Sequence, residues 1–333
     1  MTPVRVAAID CGTNSIRLLI AEREDRPGGP RLTELHREMR IVRLGEGVDA
    51  TGRFAPEALD RTRAALIDYA ALIAGFRVAK LRMVATSATR DAANRAEFFA
   101  MTAAVLGAAV PGAVAEVISG AEEAELSFNG AVAELDAADA PCVVVDLGGG
   151  STEVVLGGVV PDGRPGGPGG NGEMGVQASF SADIGCVRMT ERCLHSDPPT
   201  AGEVAAAREV VRERLAEALA VVPVHNARTW VGVAGTFTTI AALAHGLPTY
   251  DSEAIHLSRV GFGDLLAVCD QLIGMTREQR AALGPMHEGR VDVIGGGAIV
   301  VEELAAAFAQ RCRISELVVS EHDILDGIAL SIR

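Results

Sequence analysis

One short pattern occurs twice in this chain and leaves it few folds to adopt. Val6-Ala7-Ala8-Ile9-Asp10-Cys11-Gly12-Thr13-Asn14-Ser15 is echoed by Cys142-Val143-Val144-Val145-Asp146-Leu147-Gly148-Gly149-Gly150-Ser151. Asp10 matches Asp146, Gly12 matches Gly148 and Ser15 matches Ser151. Apolar residues follow each copy: Ile16, Leu18, Leu19 and Ile20 in the first, Val154, Val155 and Leu156 in the second. Each copy therefore reads as strand, tight polar turn, strand. A turn that needs glycine and carries Asp and Ser can aim backbone N–H groups at one point. Two such turns could hold a phosphate and its metal from both sides.

A chain of 333 residues is long enough for two ordinary domains. Its net charge of -14 argues against non-specific nucleic-acid binding. Any polyanionic ligand would need a local basic patch, and that patch must be built from arginine, because Lys80 is the only lysine. No run of eighteen apolar residues exists. The stretch from Val293 to Ala309 comes closest, and Glu302 and Glu303 break it. Asp10 interrupts the first apolar segment too early for a cleavable signal. The expectation is a soluble, cytoplasmic protein with no membrane partner. Cys11, Cys142, Cys186, Cys193, Cys269 and Cys312 form no CxxC pair and read as reduced thiols. Cys186, Cys193 and His195 match no common zinc spacing.

Strands and helices alternate along the chain, which signals an α/β protein. Arg5 to Ile9, Ile16 to Ala21 and Leu32 to Arg40 read as an opening meander. A helix follows over Glu57 to Gly75, with Leu59, Ala65, Leu66, Tyr69, Leu72 and Ile73 on one stripe. Strands are expected at Leu81 to Ala85 and Val114 to Ile118, and helices at Asp91 to Leu106 and Gly120 to Leu135. The pattern restarts at Cys142, after a small-residue linker at Ala137 to Pro141. The second half adds strands near Gln177 to Ala182 and Thr229 to Val233. Its helices are expected at Ala201 to Leu219, Thr236 to Ala244, Gly263 to Leu272, Arg277 to Leu283, Gly289 to Arg311 and Asp323 to Ile332. Pro161 to Gly175 is rich in Gly and Pro and reads as a hairpin tip.

Two further glycine turns stand out, Gly232-Val233-Ala234-Gly235-Thr236 and Gly295-Gly296-Gly297. Glycines at a strand-to-helix turn are either anion sites or tight-packing positions, and the sequence leaves both open. The chain has no G-x-x-x-x-G-K-S/T loop and no GxGxxG after its first strand, which argues against P-loop and dinucleotide folds. Ser119 and Glu122 have capping-box spacing, so Glu122 has a structural role available. Glu123 has none. It lies in a first helical turn, where the macrodipole favours a carboxylate, and is either a solvated surface acid or a site residue. Thr86-Ser87-Ala88-Thr89-Arg90-Asp91 is a polar loop between strand and helix. It either caps that helix through Thr89 or Asp91 or presents hydroxyls and Arg90 to an anion.

Taken together, these motifs resemble the exopolyphosphatase / guanosine pentaphosphate phosphohydrolase (Ppx/GppA) family. The segments that carry the resemblance are Asp10 to Ser15, Ala85 to Asp91, Ser119 to Ala124, Asp146 to Glu153, Gly232 to Thr236, Ser320-Glu321 and Asp326-Gly327-Ile328. They cover nearly the whole chain in order. The resemblance implies two actin-like (ribonuclease H-like) α/β domains with the active site in the cleft between them. On this chain the domains would span 1–137 and 138–322, with a terminal helix at 323–333 returning to the first. The catalytic glutamate of the family maps to Glu123. Asp146 and Glu153 map to Mg²⁺ coordination or activation of the attacking water, and Arg90 to a phosphate-contacting arginine. Asp10 joins the metal set by analogy with the repeat.

The implied reaction is in-line hydrolysis of a terminal phosphoanhydride of inorganic polyphosphate. Backbone amides at Gly12, Thr13, Asn14 and Ser15 and at Gly148, Gly149, Gly150 and Ser151 would cradle the phosphoryl group. Arg17, Arg40, Arg43 and Arg188 are candidates to lead the rest of the substrate away. Guanosine pentaphosphate is the alternative substrate, and a nucleotide-sensing protein with little catalysis is the alternative of another class. The family further suggests a homodimer. Longer members carry a helical C-terminal region with an HD-like domain, which this sequence lacks.

Overall fold

The computed structural model of the protein describes residues 3–26, 29–159 and 174–333. The expected hairpin tip lies, over residues 161–173, outside the described residues. The described residues divide into two compact units, one holding those up to 130 together with Ile324–Arg333, the other those from 131 to 323.

The first unit opens with β1 (Val4–Cys11), β2 (Ser15–Arg26) and β3 (Gly29–Ile41). It continues through α1 (Val48–Thr51), α2 (Pro56–Gly75), β4 (Lys80–Ala85), α3 (Ser87–Asp91), α4 (Arg95–Leu106), β5 (Ala115–Val117) and α5 (Gly120–Ala131). The second unit contains β6 (Cys142–Leu147), β7 (Thr152–Val159), β8 (Met174–Ala182), α6 (Cys186–Cys193), α7 (Ala201–Val221), β9 (Thr229–Val233) and α8 (Gly235–Ala244). It ends with α9 (Ser252–Ile255), β10 (Ser258–Gly261), α10 (Phe262–Gly274), α11 (Arg277–Ala281), α12 (Ile294–Arg311) and β11 (Glu316–Val319). The last helix, α13 (Ile324–Ser331), belongs to the first unit.

The repeat seen in the sequence is a repeat of topology. The first sheet runs β3-β2-β1-β4-β5 and the second β10-β11-β9-β6-β7-β8. In each, an antiparallel meander is followed by strands parallel to its first member: β1 pairs parallel with β4, and β6 with β9. The two polar turns therefore occupy equivalent places, between β1 and β2 and between β6 and β7. All six residues of β6 are buried, as expected for a near-continuous apolar strand covered on both faces.

Several elements depart from the sequence expectation, each for a tertiary reason. The single helix expected over Asp91 to Leu106 is two helices, because Ala92 is extended. Asn94 exchanges hydrogen bonds with the backbone of Phe54, and the Ala93 amide donates to Gly52, which pulls the chain out of helix. α2 ends at Gly75 as expected, but the left-handed residue that closes it is Arg77 and not a glycine. There the Val78 and Arg77 amides close on Ile73 and Ala74 in a Schellman arrangement. α5 stops at Ala131, four residues short of the expected end, and a turn closed by Leu135 N–H on Val132 follows. α12 starts at Ile294 rather than Gly289, because Glu288–Arg290 forms a separate 3₁₀ turn capped by the His287 ring. β10 and β11 were not expected; four residues each is too short for a periodic signal.

The first sheet is covered on both faces. Ala7, Ile9 and Cys11 of β1 face a core with Leu66, Tyr69 and Ile73 of α2 and Phe98 of α4. The alternate residues Val6 and Ala8 face a smaller core built with Leu126 of α5 and Ile324, Leu325, Ile328 and Ala329 of α13. In the second unit Trp230 is the centre of the core, edge-on to Phe237, Phe262 and Phe308 at centroid distances of 5.7, 5.8 and 5.0 Å. α13 is pinned by close approach: a Cβ on Gly327 would lie 1.9 Å from the Leu126 carbonyl oxygen. That contact is backbone and cannot rotate away. Gly327→Ala is expected to lower unfolding stability by about 3 kcal/mol, the upper range for overpacking, measured by urea denaturation.

Candidate active site

In each turn neighbouring amides occupy the carbonyl oxygens. In the first, the Gly12 amide closes on Ser15 O at 3.0 Å, Thr13 O accepts from Gly45, and Asn14 O accepts from Val42 and Arg43. In the second, Gly148 N–H closes on Ser151 O at 3.0 Å, and the first amides of α6 occupy the remaining oxygens. Cys186 donates to Gly148 O, and Val187 and Arg188 both donate to Gly149 O. Gly150 O accepts from Arg188 Nε at 2.7 Å. The amides of Gly149, Gly150 and Ser151 donate no hydrogen bond among the described residues. With its oxygens committed, the turn is left with donors, which is the chemistry of an anion nest.

This buttress depends on Gly185, which the sequence reading did not single out. A Cβ there would lie 2.4 Å from both C and O of Gly149 and 2.6 Å from Gly150 N. The only sequence signal was a glycine between a strand and a helix. Ser181, likewise not singled out, donates to Glu153 Oε1 at 2.7 Å and orients that carboxylate.

The acids of the two turns have different cross-strand partners. In the first, Asp10 lies opposite Arg17, whose Nη2 and Nε donate to Asp10 Oδ2 at 2.7 and 3.0 Å. In the second, Asp146 lies opposite Glu153, and both are buried. Directly opposed residues project from the same face of a sheet with Cβ atoms about 4.5–5.5 Å apart. Two carboxylates so placed repel each other and form an oxygen donor set suited to a hard cation such as Mg²⁺.

Glu123 is 7% exposed at the start of α5. Arg90 Nη1 donates to its Oε2 at 2.6 Å and to Ile118 O at 3.2 Å. Burial lifts the Glu123 carboxyl to about 7; the Arg90 guanidinium opposes that rise and the Asp10 charge adds to it. The reading of Glu123 as a solvated surface acid is therefore incorrect. Glu122 takes another course than the capping box: its amide donates to Ser119 Oγ at 3.2 Å, but its carboxylate accepts from Arg82 Nη2 at 2.6 Å. Thr89 and Asp91 lie inside α3, whose N-cap is Thr86, and the N-cap of the following helix α4 is Asn94. The Thr89 hydroxyl and the Thr13 hydroxyl are both buried with no hydrogen-bond partner.

Of the four arginines considered for the substrate path, Arg17 holds Asp10 and Arg188 braces Gly150. Arg40 pairs with Glu38 and Asp68 over the Tyr69 ring, and the Arg43 amide supports the first turn. The later glycine turns are packing positions. Cβ atoms on Gly296 and Gly297 would meet Cys186 O and Thr236 Oγ1 at 2.8 and 2.7 Å, which brings α12 against α6 and α8. Gly232 similarly accommodates the Phe237 ring.

A duplicated meander-plus-parallel sheet, with a glycine turn after the first strand of each copy, defines a two-domain actin-like (ribonuclease H-like) α/β fold. Within that class the Ppx/GppA phosphatase family matches residues 19–332, and the chain belongs to it. It is 66% identical over 332 residues to Exopolyphosphatase 2 of Mycobacterium tuberculosis, covering 100% of this chain and 99% of that protein. Among solved structures it is similar to an exopolyphosphatase-like protein at 45% identity and a TM-score of 0.87, with 98% of each chain covered. It is also similar to the Ppx/GppA family member of Aquifex aeolicus at 30% identity and a TM-score of 0.73, covering 99% of this chain and 97% of that one. No helix among the described residues is long and apolar enough to cross a membrane.

Arg90 is the counterweight to burial at Glu123. Arg90→Met is expected to raise the Glu123 pKa above about 7, observed by NMR titration of the labelled carboxyl.

Proposed function

We propose that the chain is an exopolyphosphatase that hydrolyses the terminal phosphoanhydride of inorganic polyphosphate and releases orthophosphate. The observation that carries this reading is Glu123, a buried carboxylate held by Arg90 and lifted close to neutrality, where a general base is most effective. The full-length likeness to Exopolyphosphatase 2 supports the substrate class.

In this reading Glu123 orients the attacking water and accepts its proton. Arg90 keeps the carboxylate oriented and its pKa within reach of physiological pH. The amides of Gly149, Gly150 and Ser151 receive phosphoryl oxygens, and the amides of the Gly12–Ser15 turn supply the corresponding donors of the first unit. Phosphoryl transfer needs mainly positioning and charge stabilisation, so these donors carry much of the work. Asp146 and Glu153 would hold Mg²⁺, which when bound neutralises charge on the transferring and leaving oxygens. Asp10, with Arg17 on its Oδ2, is assigned instead to the electrostatic setting of Glu123. A cytoplasmic homodimer belongs to the same reading.

Phosphate release from short and long polyphosphate and from guanosine pentaphosphate, with Mg²⁺ and with EDTA, tests it. Polyphosphate turnover that stops in EDTA is expected. Glu123→Ala is expected to lower kcat by about 10²- to 10⁴-fold. Because the base must be ionised, kcat/KM should climb as pH rises through about 7, and Glu123→Gln should lose that limb. Asp146→Asn should raise the Mg²⁺ concentration needed for half-maximal rate. Turnover of guanosine pentaphosphate alone would replace the substrate assignment, and tight nucleotide binding without turnover would replace the enzyme reading with a sensor.

A further inference from the structure

Glu134, His256 and His322 converge from three separate parts of the second unit. Glu134 is in the turn after α5, His256 caps the C-terminus of α9, and His322 follows β11. One ligand atom from each lies within 4.8 Å of the other two, the single such cluster among the described residues. His256 Nε2 is 3.2 Å from Glu134 Oε2, and His322 Nδ1 is 3.9 Å from Glu134 Oε1. The two imidazole rings lie 4.6 Å apart, tilted by 39°. All three residues are outside the phosphate turns.

We propose that these three residues form a second metal site, for a borderline divalent ion of the Zn²⁺ class. Two imidazoles and one carboxylate suit Zn²⁺ or Co²⁺, whereas Mg²⁺ prefers an all-oxygen shell. With metal–ligand bonds of about 2.0–2.2 Å, ligand atoms of a tetrahedral shell are about 3.3 Å apart. The His256–Glu134 edge already has that length. The His322 side chain is 31% exposed, so rotating it inward closes the second edge. The Glu134 side chain is 58% exposed, which leaves the fourth position open to water.

The ring proton of His256 makes occupancy visible. Glu321 N–H donates to His256 Nδ1 at 3.2 Å, so the neutral ring carries its proton on Nε2, toward Glu134. A metal on Nε2 requires the other tautomer, with the proton on Nδ1, and the Glu321 amide then loses its acceptor. Ser320 Oγ braces the same turn by donating to His322 O and accepting from His322 N–H. Metal binding should therefore register at the Glu321 amide.

The test is Co²⁺ titration of the full chain, stripped with EDTA, dialysed and supplied with excess Mg²⁺ to fill oxygen-donor sites. One equivalent of Co²⁺ should give the intense visible bands of a low-coordinate ion, which Zn²⁺ then displaces. The Glu321 amide resonance should move during the titration. His256→Gln and His322→Gln should each lose the bands. Glu134→Gln, at an exposed side chain that does not threaten folding, should weaken Zn²⁺ more than about 100-fold, the upper limit for removing an outer-shell partner. Asp146→Asn should keep the bands. Wild-type protein without stoichiometric uptake would overturn the proposal, as would bands that persist in the doubly substituted His256→Gln, His322→Gln chain.

Discussion

The structure depends on one constraint, the antiparallel register that places the residue seven positions after each turn acid directly opposite it. That spacing is the same in both units, yet it brings Arg17 to Asp10 and Glu153 to Asp146. A single change of partner makes one copy an acid–arginine pair and the other a pair of acids. The same backbone thus yields two electrostatic environments. The neutralised copy still influences Glu123 through the Asp10 charge, while in the other copy two acids stand opposite each other.

Around both copies the fold satisfies carbonyls, and in the second it leaves the Gly149, Gly150 and Ser151 amides as donors. Neighbouring loops do this in the first unit and the start of α6 does it in the second. These donors are fixed by backbone contacts, so in the proposed reaction little reorganisation is needed as charge develops. The rigidity comes from backbone contact at Gly185, where no side chain could be tolerated. The neighbouring Thr152 hydroxyl, bonded to Ile184 O, ties the same strand end to the same loop.

Much of this was legible in the sequence. The duplicated strand-turn-strand could be read directly, because Asp, Gly and Ser at fixed spacing between apolar runs have few other uses. Glu123 could be singled out once Glu122 had a separate role available, although that role proved to be a pair with Arg82. What could not be read depends on contacts distant in sequence. The break before α4 is made by Asn94 reaching Phe54, and the support of the second turn by α6 residues that follow it by more than thirty positions. The Glu134, His256 and His322 cluster has no sequence spacing that would announce it, since three unrelated loops bring it together. Short strands such as β10 escaped for a simpler reason: four residues cannot display a period.

The docking of α13 bears on the order in which the chain can mature on the ribosome. Val6, Ala8, Leu19 and Ala21 are made long before the helix that shields them from water. The second unit, made between the two parts of the first, can finish its core while the earlier-made unit still shows an apolar sheet face. The portion synthesised first is therefore completed last. Its exposure time is set by the roughly 200 residues that must be added at about 5–20 per second before α13 is made.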